Sequence, residues 1–262
     1  MVIRGQRLKN AVMVRVEKLG EGPYASVICY PKPTRAELRK RLRELQKLDV
    51  KAVEFGGEKQ FSSLSVLGKG CVGIVTKAYR NSEKIALKIR RVDADRTRMQ
   101  VEARMLEKAN AAKVGPRLLG VSKNFLLMQF VDGVLLPSWL DKRVGKALVR
   151  RVLRDVLEQC WRLDTVGLDH GELSHALKHI IIDKNDKPFI VDFETASLTR
   201  RPSNVTSVCQ FIFLSSTVAE KVSKKLDEID KEAIVGALRR YKNERTRGNF
   251  DFVMGVCGLQ TM

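Results

Sequence analysis

Hydrophobic and polar positions follow two regimes along the chain. From about Leu64 to Phe130 the apolar residues come in short runs, Leu64–Leu67, Ile74–Tyr79, Ile85–Arg90, Arg117–Val121 and Phe125–Phe130. Short runs rich in β-branched residues and bounded by turn formers predict strands, with Asn81-Ser82 as a hairpin tip. One helix is expected among them, over Thr97–Asn110. From Pro137 onward the period becomes helical. Leu148, Val152, Val156 and Cys160 recur every four residues, as do Val149, Leu153, Leu157 and Trp161, which predicts a long buried helix. Val218–Tyr241 reads as a late helix with Val222, Leu226, Ile229, Ala233 and Ala237 on one face, and Ser203 as the N-cap of an earlier one. Two short strands, His179–Ile182 and Phe189–Val191, flank a turn at Asp183–Lys187.

The first sixty residues carry a third pattern. Ala25–Tyr30 is expected to be a strand ended by Pro31 and Pro33. Thr34 and Glu37 have the spacing of a capping box, followed by a helix to about Leu48 with Leu38, Leu42 and Leu45 on one face. Val50–Phe55 reads as a strand, Ala11–Val16 as a weaker one, and Gly56-Gly57 as a break. This predicts a small β-α-β module over residues 1–59, ahead of a β-rich segment over 60–133 and a helical segment over 134–262. The fold class is α+β.

Charge narrows the partners. The 262 residues include 49 Lys and Arg against 30 Asp and Glu, a formal net charge of +19. That excess favours polyanions. Arg35, Arg39, Arg43 and Lys47 repeat every four residues on the first helix, where like charges repel. Phosphates of structured RNA or a ribonucleoprotein would relieve that repulsion, and a solvated basic face is the alternative. The five cysteines, Cys29, Cys71, Cys160, Cys209 and Cys257, have no metal-ligand or redox-motif spacing, which predicts reduced thiols in a cytoplasmic protein. No apolar run approaches the roughly 18–20 residues that span a bilayer, and no leader-like segment opens the chain, so no membrane association is expected.

The chemistry is concentrated in four places. Gly68-Lys69-Gly70-Cys71-Val72-Gly73-Ile74-Val75 matches G-x-G-x-x-G-x-V. A dinucleotide-binding turn has the same glycines but opens a helix. Here strand residues follow, which predicts a glycine hairpin able to offer backbone N–H groups to phosphates. Lys88 ends the apolar run Ile85-Ala86-Leu87, where an unpaired ammonium would be costly. Glu102 on the next helix is the expected partner and Glu107 the rival. His170-Gly171-Glu172-Leu173-Ser174 precedes one strand, and a second strand ends in Asp192-Phe193-Glu194. A carboxylate at such a strand end can ligate Mg²⁺, and one some twenty residues earlier can orient an acceptor hydroxyl.

Glycine loop, strand lysine, helix glutamate, His-x-acid-Leu loop and Asp-Phe-x follow the chain order of protein kinases. The form His-Gly-acid-Leu is similar to atypical kinases: the RIO family, the kinase subunit of the KEOPS tRNA-modification complex, and aminoglycoside phosphotransferases. The phrases GPRLLG, HGELS, VDFE and RRPSNVT resemble an archaeal family of RIO-type serine/threonine kinases. The resemblance covers roughly Gly68–Asn204 and implies a bilobal fold, with a small antiparallel β lobe and a helical lobe, that uses ATP and Mg²⁺. It implies that Gly68, Gly70, Gly73 and Val75 cover the nucleotide and that Lys88, fixed by Glu102, grips its phosphates. Met128 would be the gatekeeper, and the backbone of Gln129–Val131 would contact adenine. Glu172 would stand for the catalytic aspartate, and Asp192 would be the metal ligand.

Three departures bear on activity. Glu172 is longer than aspartate, and a shift of roughly 1 Å in a reacting group can cost on the order of a hundredfold in rate. Glu194 replaces the usual glycine. Leu177 stands where a metal-binding asparagine is counted, with His175, His179 and Asn185 as substitutes. The segment after Glu194 is short, which favours ATP hydrolysis or a narrow protein substrate over a broad peptide kinase. A pseudokinase scaffold and a small-molecule phosphotransferase are the alternatives.

Overall fold

The computed structural model describes residues 11–61, 63–95, 97–226 and 230–260. They form two compact units. One holds the described residues up to Arg104 together with Arg117–Phe130; the other holds Met105–Pro116 and the described residues from Val131 on.

The first unit is built on an antiparallel sheet. Its strands are β1 (Val12–Arg15), β2 (Val50–Phe55), β5 (Gly68–Lys69), β6 (Gly73–Arg80), β7 (Glu83–Arg90), β8 (Leu118–Val121) and β9 (Phe125–Gln129), in the order β1-β2-β6-β7-β9-β8 with β5 also on β6. A separate hairpin joins β3 (Lys59–Phe61) to β4 (Leu64–Val66). The β6–β7 turn places Asn81 and Ser82 at φ 47° and 66°, the left-handed pair that a tight two-residue hairpin requires.

Among the described residues, 11–59 are not a module apart. β2 pairs with β6, and Val53, Phe55, Val27, Ile28 and Leu45 share one core with Ile74, Ile85 and Leu87. Nor is their pattern β-α-β. Ala25–Ile28 is a short helix, α1, following a 3-10 turn at Gly22–Tyr24, and Ser26 donates to the Pro23 carbonyl. Its β-branched residues favour a strand, but the helical turn buries both Val27 and Ile28 in that core, and burial outweighs a propensity worth at most about 1 kcal/mol. The helix α2 (Arg35–Lys47) begins at Thr34 as expected, with Thr34 Oγ1 accepting from Glu37 N–H, while the Glu37 carboxylate turns to Arg41 instead of closing the capping box.

One residue of α2 does something unforeseen. Arg41 lies among exposed basic neighbours in sequence yet has 0% exposure. Its guanidinium donates to Glu37 Oε1 at 2.9 Å, to the carbonyls of Ile28 and Arg90 at 2.8 and 2.6 Å, and to Asn124 Oδ1 at 3.2 Å. Asn124 also accepts from Arg90, and it donates to Glu44. Two guanidiniums and two carboxylates thus neutralise one another and join α1, α2, β7 and the turn before β9. Arg35, Arg39, Arg43 and Lys47 stay exposed.

The second unit is mainly helical. A small sheet of β10 (Gly133–Leu135), β11 (Ile180–Asp183) and β12 (Pro188–Ile190) accompanies α4 (Leu136–Leu140), α5 (Lys146–Thr165), α6 (Asn204–Cys209), a π-helical turn at Gln210–Leu214, α7 (Thr217–Ser223), α8 (Lys231–Asn243) and α9 (Arg247–Val256). The helix α3 (Arg98–Ala111) belongs to the first unit up to Arg104 and to the second from Met105. The four-residue pattern of α5 holds, with Val149, Val152, Leu153, Val156, Leu157 and Cys160 buried. The late helix is divided: α7 ends at Ser223, and Asp230 starts α8 by accepting from the N–H groups of Glu232 and Ala233. A capping side chain within a periodic run starts a new helix there. Ile229, expected on the buried face, lies outside the described residues. Ser203 precedes α6 but does not cap it. Asp164 of α5 accepts from the N–H groups of Asn204 and Val205 instead.

Truncating Arg41 to Ala leaves two buried carbonyls and the partly exposed Glu37 carboxylate short of donors. We expect a loss of roughly 3 kcal/mol or more in urea unfolding, against less than about 0.5 kcal/mol for Arg43→Gln.

Candidate functional site

In the first unit the glycine motif is a hairpin. Gly68 and Lys69 pair with Val75 and Ile74, and Gly70 N–H donates to the Gly73 carbonyl at 2.8 Å. Gly73 has no room for a side chain, because a Cβ would sit 2.9 Å from the Ile89 carbonyl oxygen and 3.3 Å from Lys88 Cγ. Gly68 and Gly70 are different: an added Cβ would meet only ordinary contacts, 3.9 and 3.7 Å away at the nearest. The fold itself therefore requires one of these three glycines. Lys69 at the loop lies over the Tyr30 and Phe61 rings, 4.6 and 5.2 Å from their centroids.

Val75 is the direct cross-strand neighbour of Lys88. Lys88 is buried, and its Nζ lies 2.8–2.9 Å from the Glu102 carboxylate, which is itself 2% exposed. Glu102 is thus the partner, and Glu107 is exposed. A buried ion pair is weak evidence for stability, since desolvation offsets much of its attraction. Gln129 closes β9 and its N–H donates to the Arg117 carbonyl at 2.9 Å. Met128, also on β9, pairs with Ala86 of β7, and Val131 begins the second unit.

In the second unit the acid loop and the Asp192 turn come together. His170 is fully buried and its Nε2 lies 3.1 Å from the Val191 carbonyl. That oxygen can only accept, so Nε2 carries the proton. Val191 N–H donates in turn to the His179 carbonyl at 3.0 Å. The peptide just before Asp192 is held from both sides. Asp192 follows at φ 69°, a conformation short polar side chains tolerate. Phe193 is buried edge-on to His170, and Gly115 of the GPRLLG phrase, at φ 80°, would place a Cβ 3.0 Å from its ring.

His179 Nε2 lies 3.2 Å from Glu172 Oε2 and 4.0 Å from Asp192 Oδ2. Both carboxylates are nearly half exposed, while the His179 side chain is 5% exposed. Of the other substitutes considered, His175 is exposed beside Ser174, and Asn185 lies in the turn at the opposite end of the β11–β12 hairpin from Asp192. Leu177 is 49% exposed and offers no ligand atom.

Three residues to which the sequence assigned no role fix this loop. Asn204 accepts from His170 N–H and donates to the Leu168 carbonyl and to Asp164. Asp169 accepts from Arg200 Nε and Ser203 N–H. Gly171, at φ 90°, sits so close to Arg200 Nη2 and the Thr195 carbonyl that a side chain would displace them. RRPSNVT is thus a brace for the acid loop. Buried Asp164 ties the same brace to Tyr241, and its carboxyl is raised by burial above the usual range.

A sheet unit with a glycine hairpin, a buried strand lysine held by a helix glutamate, and a helical unit with an acid loop and an Asp-Phe turn together define the protein-kinase-like class. Within it, a family model of the RIO domain matches residues 75–207, half of the chain, and the chain belongs to that family of atypical kinases and ATPases. Uncharacterized protein MJ1211 of Methanocaldococcus jannaschii is 31% identical to it over 106 residues, 39% of this chain and 89% of that protein. No described helix is long and apolar enough to cross a membrane.

Burial lowers the His170 pKa to about 4. Between that value and about 6.5 the unfolded chain holds a proton on this ring that the folded chain lacks, so stability rises with pH across the window and levels off above it. We expect this site to remove about 2 kcal/mol between pH 7 and pH 5. Urea unfolding of the parent and of His170→Gln at both pH values checks it, the variant showing the flatter dependence.

Proposed function

We propose that the protein transfers phosphoryl groups from Mg-ATP, as an atypical serine/threonine kinase or an ATPase. The observation that carries this reading is the buried Lys88–Glu102 pair, locked in register with the glycine hairpin through Val75 and Gly73. Lys88 would hold the α- and β-phosphates, with Glu102 fixing its ammonium. The spare room at Gly68 and Gly70 supports phosphate contact, because nothing in the protein's own packing calls for glycine there. Backbone groups of Gln129 and Val131 would take adenine. Asp192, exposed and set on a pinned peptide, fits a divalent cation. That ion would neutralise the β- and γ-phosphate oxygens. Glu172 would accept the proton of the attacking hydroxyl or water.

The basic face of α2 supports a polyanionic partner, structured RNA or a ribonucleoprotein. The four cations at four-residue spacing are all exposed, while Arg41 and Glu37 are engaged elsewhere. Replacing Arg35, Arg39 and Arg43 by Gln should flatten the salt dependence of RNA binding by up to about three units of log–log slope, read by filter binding.

The nucleotide reading is tested with pure protein and γ-labelled ATP. Lys88→Ala should abolish thermal stabilisation by Mg-ATP while keeping the parental melting cooperativity. Glu172→Gln should keep nucleotide binding and lose turnover by about a hundredfold or more. Equal stabilisation of Lys88→Ala and parent by ATP would remove Lys88 from the site. A parent that binds ATP but turns over at background would identify a pseudokinase.

A further inference from the structure

The helical unit carries a groove that neither the acid loop nor the Asp192 turn lines. It lies between α6 with its π-helical turn and α8, and encloses about 440 Å³. Ligand sites typically span roughly 300–1,000 Å³. Leu214, Val235 and Leu238 make one part of it apolar. The rest is polar and has no acidic side chain. Arg239 and Lys242 come from α8; Ser207, Gln210 and Ser215 come from α6 and the turn that follows it. Other cations of this unit are engaged. Arg200 pairs with Asp169, Lys221 with Asp141, and Arg247 with Glu158 and Asp251, while Arg240 lies over the Phe252 ring. The side chains of Arg239, Lys242, Gln210 and Ser215 have no hydrogen bond or ion pair among the described residues. A third cation, Arg201, donates to the Lys242 carbonyl at 2.6 Å and so joins the rim. Positive charges gathered without a counter-charge repel one another, and a bound anion relieves that.

We propose that this groove docks a segment of a protein partner that bears a phosphoserine or phosphothreonine. A phosphate monoester brings close to two negative charges and three acceptor oxygens. Arg239 offers it a planar fork, Lys242 a point charge, and Ser207, Gln210 and Ser215 neutral donors. A carboxylate, with two oxygens and one charge, would leave several of these unused. The apolar part takes side chains that flank the phosphorylated residue. A single-stranded nucleic acid would call for aromatic faces on which bases stack, and no lining residue is aromatic. The groove also meets the brace of the acid loop. Ser203 lines it, and its hydroxyl lies 3.3 Å from Ser207 Oγ and 3.2 Å from Asp169 Oδ1. A partner held there is linked through Ser203 and Asp169 to the residue just before His170. The inference deepens the reading of the protein as a kinase with a narrow protein substrate, and rests on that reading for its purpose: a partner already phosphorylated once is recognised by that mark.

The test uses the full chain without nucleotide. The probe is a fluorescein-labelled peptide with one phosphoserine between alternating leucine and glycine residues, followed by anisotropy at physiological ionic strength. The parent should bind it about tenfold or more tightly than the unphosphorylated peptide. Arg239→Gln combined with Lys242→Gln should reduce that difference to within about twofold. Lys231→Gln combined with Arg240→Gln removes the same charge from the same helix outside the groove, and should keep the difference. Both double variants should keep the parental thermal stabilisation by Mg-ATP. Gln210→Trp fills the groove without changing charge and should also lose the difference, which keeps the test decisive if the first double variant fails to fold. Equal binding of the two peptides by the parent overturns the proposal. So does an equal loss in the two double variants, which would leave only the general attraction of a basic protein for anions. Inorganic phosphate competing as tightly as the peptide would mean a free-anion site and no protein docking. Groove variants that lose polyuridine binding but not phosphopeptide binding would give the groove to nucleic acid. A parent that binds the phosphopeptide but not ATP would sink the kinase reading and leave the groove standing; ATP turnover without phosphopeptide binding would do the reverse.

Discussion

A guanidinium shut away from water needs acceptors for its N–H groups, and Arg41 finds four of them in four parts of the chain. The requirement fixes more than one helix. Its acceptor on β7 is the carbonyl of Arg90, two residues past Lys88, and Arg90's own guanidinium shares Asn124 with it. The strand that presents the lysine is therefore tied at its end to α2 and to the turn before β9. Glu37 and Glu44 complete the charge balance, so the cluster avoids the several kcal/mol that an unpaired buried ion would cost. The segment outside the kinase pattern is thus part of what holds the kinase-like lysine in place.

The second unit reaches the same end with a different device. Its acid loop hangs from Asn204, Asp169 and Asp164, which accept from the N–H groups of His170, Ser203 and Asn204 respectively. Two neutral hydrogen bonds at the Val191 peptide, from His170 and to His179, do the fine placement. A ring kept neutral by burial is well suited to this, because its donor stays the same across the physiological pH range.

Periodicity and spacing made much of this legible. The β6–β7 hairpin, α5 and the glycine loop follow from short-range patterns, and the Lys88–Glu102 pair follows from the cost of a lone buried charge. What was hidden depends on distant partners. Arg41 falls on the helix face of Leu38 and Leu45 and four residues after Glu37, but that spacing does not reveal the Ile28, Arg90 and Asn124 acceptors that come with its burial. Ala25–Ile28 has strand composition but occupies a position where one helical turn buries it. Ser203 has the right type for a cap, yet a carboxylate forty residues earlier does that work. Of His175, His179 and Asn185, the three substitutes that sequence offers at the counted asparagine, His179 is the one that lies near Asp192, 4.0 Å away.

The RIO match opens at Val75, inside β6. A polypeptide cut to the matched span would keep β6 and β7 but lose β1, β2, β5 and α2, and with α8 the tyrosine that reaches Asp164. β6 would then become a bare sheet edge, with its unpaired backbone groups offered to any other chain. Arg90 would face a vacated core. The region by which the family is recognised and the region that can fold are therefore different objects in this protein. The smallest soluble fragment must be drawn from hydrogen-bonded neighbours rather than from the limits of recognisable sequence.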